Sequence, residues 1–230
     1  MSEKNIILDL CGGSGAWSRP YKEAGFDMRV ITLPNHNVFY RDYDWDLNGI
    51  YFYGVNRTGI YSPYEKIYGI FAAPPCTEFS VAKGNGPRDL RAAMEIVKVC
   101  LEIIWEVQLH AKLAFWALEN PRGLLRQFLG IPKYTFEQWE FGTEAYKPTD
   151  IWGYFNPPKP TVKTKPEGMT VKYPNGRSNG RAWAKCEYPP EYEAYINQFT
   201  GDEKRAAARA ITPAGFAKAF FKANSREVTP

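Results

Sequence analysis

Short apolar runs recur along the chain, and each of them stops at a polar, proline-containing or glycine-rich segment. The runs lie at residues 5–10, 28–33, 67–72 and 113–118. Strands covered on both faces of a parallel sheet have this continuous apolar pattern rather than an alternating one. The pattern therefore predicts buried strands at residues 5–10, 67–72 and 113–118, and a further strand of the same sheet at residues 28–33.

Helical spacing marks the segments between these runs. Residues 16–24 are predicted to form a helix with Gly25 as its C-cap. Pro87 suits the start of a long helix from Arg88 to about Lys112. Its apolar positions recur at helical spacing and comprise Leu90, Ala93, Val97, Cys100, Leu101, Ile104 and Val107. Cys100 is therefore expected to be a packing residue.

The second half of the chain adds three predicted elements. Residues 134–141 alternate as a half-exposed strand, and residues 149–154 can follow as its hairpin partner. From Tyr192 to about Asn224 the chain is predicted to be helical, with an interruption at residues 211–213. The alternation of strands and helices predicts an α/β fold with helices on both faces of the sheet.

Residues 34–66 are rich in Asn, Tyr, Gly and Asp, and we expect mostly loop there. Within them, residues 41–46 carry three carboxylates at alternating positions. The pattern is typical of a solvated edge segment that ends a third strand. A metal site, or a contact of one carboxylate with a cofactor, is an open alternative.

The composition changes between Asn156 and about Pro190, where proline and glycine are frequent and basic residues outnumber acidic ones. The basic residues are Lys159, Lys163, Lys165, Lys172, Arg177, Arg181 and Lys185, and the interleaved aromatic residues are Tyr173, Trp183 and Tyr188. This composition favours a nucleic-acid contact, and a solvated irregular insertion is the alternative. We therefore predict a core of residues 1–155 plus 206–230 and a small basic region, residues 156–205.

Overall composition narrows the class of protein. The 230 residues, 44% of them hydrophobic, suffice for one large domain, and a net charge of +4 permits a nucleic-acid partner without requiring one. The four cysteines lie far apart (Cys11, Cys76, Cys100 and Cys186), and there are only two histidines. Reduced thiols in the cytoplasm are expected, with no metal site, membrane span or signal peptide.

Candidate catalytic residues lie where two of the predicted strands end. The third apolar run ends at Pro74 and Pro75, and Cys76 follows directly, at the edge where open parallel sheets bind ligands. The fourth run ends in Glu119, Asn120 and a proline. Burial there would raise the pKa of Glu119 towards the range of a general acid. The alternative is that Glu119 is an N-terminal charge for a following helix.

The first predicted strand leads into a glycine-rich loop, residues 11–15. Glycines let the backbone approach a ligand closely, and Asp9 adds a carboxylate that could meet a cationic or hydroxylated cofactor. An ordinary strand-to-helix turn is the alternative. A phosphate-binding Walker loop is not expected, because no Gly-Lys-Ser/Thr follows.

Four segments, in this order, resemble the C5-cytosine DNA methyltransferases: residues 9–15, 74–80, 119–121 and 211–219. The resemblance covers most of the chain outside residues 156–205. It implies a Rossmann-like S-adenosylmethionine-dependent methyltransferase sheet, with residues 156–205 as a small, irregular target-recognition insertion. It also implies methyl transfer to C5 of a cytosine that has been flipped out of double-stranded DNA.

The resemblance assigns roles to individual residues. Cys76 matches the nucleophile that adds to cytosine C6, and Glu119 matches the carboxylate that binds N3 and the exocyclic amine. Asn120 would help to hold the active-site loop, and Lys147 would do part of the task of an arginine. The implied cofactor residues are Asp9, Leu10, Cys11, Gly12, Gly13, Gly15, Trp17, Asp44 and Pro74.

The sequence also departs from the family pattern. Cys11 stands where an aromatic residue is usual, and Leu33 ends the second run where an acidic residue normally holds the ribose. The Gln-x-Arg-x-Arg element is absent, and Lys147 cannot reproduce a bidentate arginine fork. The short recognition region resembles that of compact phage enzymes.

These observations give a set of expectations about biological context. We expect a monomer acting on DNA in a bacterial or phage-infected cytoplasm. Three alternatives remain: an RNA or free-nucleotide substrate, transfer of a group other than methyl, and a catalytically silent DNA-binding homologue.

Overall fold

A computed structural model describes residues 4–55, 58–143, 147–167, 170–172, 178–180 and 188–225. Parts of the predicted recognition region therefore lie outside the described residues, including Tyr173, Arg177, Arg181, Trp183, Lys185 and Cys186. The division into a core and a recognition region stays a prediction.

The elements are numbered in chain order. The strands are β1 (Ile6–Leu10), β2 (Asp27–Ile31), β3 (His36–Asp44), β4 (Gly49–Gly54), β5 (Gly59–Pro63), β6 (Ile67–Ala72), β7 (Phe115–Pro121), β8 (Tyr134–Phe136), β9 (Thr149–Tyr154), β10 (Thr170–Lys172) and β11 (Ser178–Gly180). The α-helices are α1 (Arg19–Glu23), α2 (Leu90–His110), α3 (Arg126–Leu129), α4 (Glu193–Ile196), α5 (Gly201–Ala210) and α6 (Ala214–Asn224).

Six strands form the central sheet in the order β2-β1-β6-β7-β9-β8. The first four are parallel to one another, and β9 runs antiparallel to both β7 and β8. From β1 the chain moves outward to β2, and then returns to β6 on the other side of β1. The carboxyl ends of β1 and β6 therefore flank a topological switch point, where open α/β sheets bind ligands.

Apolar side chains alternate between the two faces of this sheet, and helices cover both. Ile6, Leu8 and Leu10 belong to the same apolar cluster as the buried residues of α2. Ile7 and Phe71 belong to a second cluster that includes residues of α6. The molecule is thus a mixed α/β structure whose sheet is flanked by helices.

The four predicted strands are confirmed, with ends displaced by up to three residues, although β2 is only partly buried because it lies at the edge of the sheet. The largest displacement is in β7, which continues through Pro121 because β9 pairs with it from Trp116 to Pro121. The helix predicted to follow Glu119 begins only at Arg126. Glu119 is therefore a strand residue and not the N-terminal charge of a helix.

The prediction of mostly loop for residues 34–66 is wrong. This segment forms a separate three-stranded antiparallel sheet, β3-β4-β5. Ile50 and Phe52 are fully buried, whereas Tyr51 and Tyr53 point to the more exposed face. This alternation is the normal pattern of a half-buried strand. The prediction of a loop was based on composition and did not take the alternation into account. The expected third strand exists as β3, but it is not part of the central sheet.

The predicted strand at residues 134–141 is only partly correct, because β8 ends at Phe136. A turn of 3-10 helix follows at Gln138–Phe141. Glu137 and Glu140 cap this turn reciprocally, and the Glu137 amide donates to the Glu140 carboxylate at 2.6 Å. The predicted hairpin partner β9 is confirmed.

The long helix is confirmed as α2, with its first turn capped by Asp89, which accepts a hydrogen bond from the Ala92 amide at 2.9 Å. The first helix is shorter than predicted, five residues instead of nine. The C-terminal helical region is confirmed, with the predicted break between α5 and α6. Within the described ranges, no helix is long and apolar enough to cross a bilayer.

Candidate active site

The loop that follows β6 places Cys76 at the carboxyl edge of the sheet. The Ala73 amide donates to the Leu10 carbonyl at 2.9 Å and so extends the pairing of β1 with β6 beyond Ala72. The Cys76 carbonyl accepts from the amides of Phe79 and Ser80 at 3.0 and 2.8 Å, which closes a turn. The side chain of Cys76 is partly buried and lies near the switch point.

Contacts with the segment after β7 fix this turn. Phe79 is fully buried, and its carbonyl accepts from the Leu124 amide at 2.9 Å. A Cβ atom on Gly123 would lie 2.3 Å from that carbonyl oxygen. Only glycine at position 123 allows this close approach of two backbones.

The end of β7 is tied to the Cys76 loop by Asn120. Asn120 is fully buried, and its Nδ2 donates to the Pro74 carbonyl at 3.0 Å. Pro74 is also buried, so this bond joins two interior points of neighbouring strand ends. The amide of Asn120 thus holds the loop that carries Cys76.

Glu119 lines a narrow cavity of about 10 Å³, which is room for about one water molecule. The cavity is lined by Trp17, Glu119, Phe136, Gln138, Lys147, Thr149, Ala210, Thr212, Pro213 and Phe216. Among the described residues, the Glu119 carboxyl group accepts no hydrogen bond and forms no ion pair. Burial raises the pKa of Glu119, Lys147 opposes this rise and Asp150 adds to it.

Lys147 brings a buried positive charge into this region. Its side chain is 8% exposed, and its Nζ donates to the Arg209 carbonyl at 3.1 Å, near the C-terminus of α5. A cation is favourable there because the helix dipole concentrates negative charge at that end. Lys147 is therefore held by α5 while its charge acts on the groups at the sheet edge.

The protonation of Cys76 depends on these neighbours. Burial raises the pKa of the Cys76 thiol and Glu119 adds to the rise, whereas the charges of Lys147 and Arg209 lower it. The resting group is thus a thiol with two cations in electrostatic reach. The structure brings together all four residues predicted to be catalytic: Cys76, Glu119, Asn120 and Lys147.

The glycine-rich loop lies on the other side of the switch point. Gly13 and Gly15 have φ angles of +56° and +68°, which disfavour any other residue. A Cβ atom on Gly12 would lie 2.1 Å from Oδ1 of Asp9. Cys11 also has a positive φ, +57°, which is uncommon for a non-glycine residue. The Cys11 thiol points away from the loop, into hydrogen-bonding contact with Cys100 on α2.

Asp9 lies beneath this loop rather than projecting from it. Its carboxyl group is 1% exposed, and Oδ2 accepts a hydrogen bond from the Ser18 hydroxyl at 2.5 Å. Oδ1 is buried and has no partner among the described residues. Burial raises the pKa of Asp9 to about 6, and the Ser18 hydrogen bond partly opposes the rise. Asp9 therefore supports the loop from below.

Two other residues predicted to bind a cofactor differ in what they can contact. Trp17 is 3% exposed, packs against Phe71 at a centroid distance of 4.4 Å with the rings tilted by 42°, and lines the Glu119 cavity. Its Nε1 is buried without a partner among the described residues. Leu10 packs in the core, so only its backbone faces the loop.

The glycine loop fits a small polar cofactor. The positive φ angles and the closeness of Gly12 to Asp9 produce a bare backbone cradle, and the unpartnered Oδ1 of Asp9 lies beside it. The backbone of Gly12, Gly13 and Gly15 is placed to hold such a group, with Asp9 beneath it, whereas Trp17 and Pro74 are buried.

Asp44 does not lie with these residues. It ends β3 and accepts a hydrogen bond from the Leu47 amide at 2.9 Å. It pairs with Gly49, which pairs with Pro63 shortly before the start of β6. Asp44 is therefore at the amino edge of the central sheet, opposite the glycine loop. This placement does not support the predicted cofactor role.

An open surface cavity of about 540 Å³ surrounds Asp44. It is lined by Asp42, Tyr43, Asp44, Trp45, Asp46, Tyr51 and Tyr53. In the part of the chain that the structure describes, no three His, Cys, Asp or Glu side chains are grouped so as to hold a metal ion. The three alternating carboxylates of residues 41–46 thus belong to a solvated edge.

Sequence reasoning missed several residues around the site. Asp150, on the strand β9 that pairs with β7, is fully buried and accepts two hydrogen bonds from Arg126 at 2.5 and 2.6 Å. Asp150 stands opposite Asn120 in the β7–β9 register, which the predicted hairpin did not specify. Tyr195 lies against Gly13, and no sequence pattern connects the two.

The sequence matches no protein-family model and no curated protein. The functional assignment therefore depends on the site geometry and on the motifs.

Proposed function

We propose that the protein is an S-adenosylmethionine-dependent DNA cytosine-5 methyltransferase with Cys76 as its nucleophile. The observation that carries the proposal is the placement of Cys76 and Glu119 at the carboxyl ends of neighbouring parallel strands. The hydrogen bond between Asn120 and Pro74 joins these two ends. They lie beside a glycine loop at the switch point of the sheet, which favours a Rossmann-like methyltransferase fold.

The two side chains suit the chemistry of cytosine, whose C5 is a poor nucleophile. The Cys76 thiolate adds to C6 of a flipped base, which makes C5 nucleophilic. Glu119 donates a hydrogen bond or proton to N3, a role that requires the protonated acid. The raised pKa of Glu119 favours that form, and its carboxyl group has no protein partner in the described residues to compete with the base.

After C5 has been alkylated, its proton leaves and the Cys76–C6 bond breaks, which restores the aromatic ring and the thiolate. S-adenosylmethionine, when bound, supplies the electrophilic methyl group. The loop from Cys11 to Gly15 would hold it. Lys147 stabilises the thiolate electrostatically, because its charge lowers the pKa of Cys76.

The proposed partner is double-stranded DNA in a bacterial or phage-infected cytoplasm. Basic side chains of the first part of the recognition region, Lys159, Lys163 and Lys165, are exposed. Positively charged side chains attract the phosphate backbone, and this attraction weakens as salt increases. The base would be read after it has left the stack.

Covalent trapping tests the proposal. With S-adenosylmethionine present, wild-type protein should form a denaturation-resistant complex with DNA that contains 5-fluorocytosine, since fluorine at C5 cannot leave as a proton. Cys76→Ser should form none, and the control Cys186→Ser should trap normally. Electrophoresis under denaturing conditions measures the complex. Normal trapping by Cys76→Ser would refute the assignment of the nucleophile.

The same protein should be incubated with duplex DNA, tRNA and dCMP, followed by mass spectrometry of the nucleosides. We expect 5-methylcytosine in the DNA sample only. Product in tRNA or dCMP alone would change the substrate class, and a different mass would change the transferred group. DNA binding without any product would indicate a silent homologue.

A further inference from the structure

A segment near the C-terminus lies across the glycine loop. Residues 188–199, here called the strap, contain a 3-10 turn at Pro190–Tyr192 and the short helix α4. Ile196 is fully buried and Tyr192 is 9% exposed, and both pack with Ala16 just after the loop. The strap is therefore part of the folded core around the glycine loop.

Polar contacts with α1 fix the position of the strap. Arg19 donates to the Glu191 carboxylate at 2.7 Å, and its guanidinium group lies 5.7 Å from the ring centroid of Tyr192. Arg19 begins α1, directly after the glycine loop and Trp17. The strap and the loop therefore hold a defined relative position.

Tyr195 brings its hydroxyl group from the strap to the loop. The hydroxyl oxygen lies 2.8 Å from the position that a Cβ atom on Gly13 would occupy. The side chain is partly buried and packs against Phe199 at a centroid distance of 5.3 Å. Among the described residues the hydroxyl makes no hydrogen bond. A partly buried ring thus presents a hydroxyl donor that has no acceptor among the described residues.

Three backbone amides of the glycine loop also lack a hydrogen-bond acceptor. Within the described residues, the amides of Gly12, Gly13 and Ser14 donate to no backbone or side-chain acceptor. By contrast, the amides of Cys11 and Gly15 on either side donate to Ile31 and Gly12. Successive unpaired amides at a turn are a common way to bind an anionic oxygen group.

We propose that Tyr195 is a further cofactor-binding residue, whose hydroxyl donates to the carboxylate at the amino-acid end of the cofactor beside the amides of Gly12 to Ser14. This inference rests on the proposed function. The carboxylate is the anionic group of S-adenosylmethionine, and it accepts several hydrogen bonds at once. Tyr195 is then a binding residue that lies outside the four motifs, within the predicted recognition region.

The test compares two ligands that differ at that end, S-adenosylhomocysteine and 5′-methylthioadenosine, which lacks the amino-acid carboxylate. Isothermal titration without DNA gives each dissociation constant. Tyr195→Phe keeps the ring and removes the hydroxyl. We expect it to weaken S-adenosylhomocysteine binding about tenfold, the loss typical of a hydrogen bond to a charged group. Binding of 5′-methylthioadenosine should not change.

Tyr40→Phe is the matched control, since Tyr40 is 64% exposed on β3, and it should bind both ligands as the wild type does. Thermal unfolding shows whether each variant is folded. Unchanged S-adenosylhomocysteine binding by Tyr195→Phe would overturn the inference, as would an equal loss for both ligands. Wild-type protein that binds neither ligand would overturn the proposed function itself.

Discussion

Glu119 influences the protonation of Cys76, and Lys147 acts on both groups. Burial raises the pKa of the thiol and of the carboxyl group, and the Lys147 charge lowers both. A neutral thiol is stable at rest, but the thiolate is accessible because a cation lies near. A neutral Glu119 is suited to donate to a base. The Lys147 charge thus favours the thiolate, whereas burial favours the neutral form of Glu119.

Replacing Lys147 by methionine tests this electrostatic role. We expect the pKa of Cys76 to rise in Lys147→Met, because the charge that lowers it is gone. Alkylation of Cys76 by iodoacetamide should therefore be slower, and its pH profile should move to higher pH. Mass spectrometry of the Cys76 peptide measures the rate.

The control for this experiment is Lys159→Met, which removes an exposed charge outside the active site. Its alkylation profile should match the wild type. An unshifted profile in a folded Lys147→Met protein would show that Lys147 does not act on the thiol.

Strand ends and turns determine how the catalytic groups meet. β6 and β7 are parallel neighbours, so their carboxyl ends lie at one edge. The Cys76 turn then depends on the segment after β7, through the Phe79 carbonyl and the bridge between Ser80 and Gly123. Two loops that are distant in sequence thus form one rigid unit.

Gly123→Ala should disrupt this unit, because the new methyl group would lie 2.3 Å from the Phe79 carbonyl oxygen. We expect covalent trapping to fall at least about tenfold, with a stability loss of about 1–3 kcal/mol. Trapping and thermal unfolding measure the two effects. Gly86→Ala is the matched control, since its nearest neighbour would be 3.7 Å away. Equal trapping by both variants would contradict the predicted coupling of the loops.

The stability of the whole molecule depends on the protonation of Asp9, which is buried and has no hydrogen-bond partner for Oδ1 among the described residues. Asp9 has a pKa of about 6 in the folded protein, above its ordinary value of 3.8. The folded state therefore binds the proton more tightly than the unfolded state does. Stability from this group is complete below about pH 4 and is lost as the pH rises through 6. The loss is up to about 3 kcal/mol at neutral pH.

Asp9→Asn removes this titration while it preserves the size of the side chain. We expect the free energy of unfolding of the wild type to decrease relative to that of Asp9→Asn between pH 4 and pH 7. Urea unfolding at several pH values measures the difference. A constant difference across this range would mean that Asp9 does not titrate with the raised pKa.

Much of the sheet was predictable because it depends on local pattern. Continuous apolar runs mark strands such as β6, and proline and glycine mark where they end. The three-stranded sheet β3-β4-β5 was missed because its alternation is set among glycines and asparagines. The turn at Gln138–Phe141 was also missed. It depends on the reciprocal caps of Glu137 and Glu140, whereas the alternation of residues 134–141 is typical of a strand.

The candidate site was predictable only in part. Sequence alone indicated Cys76, Glu119 and the glycine loop, because strand ends at one edge of a parallel sheet must lie near each other. The contact of Tyr195 with Gly13 and the hold of Arg209 on Lys147 depended on the folded structure. So did the placement of Asp44 at the opposite edge. Such contacts join residues far apart in sequence, and packing of whole elements, rather than local propensity, brings them together.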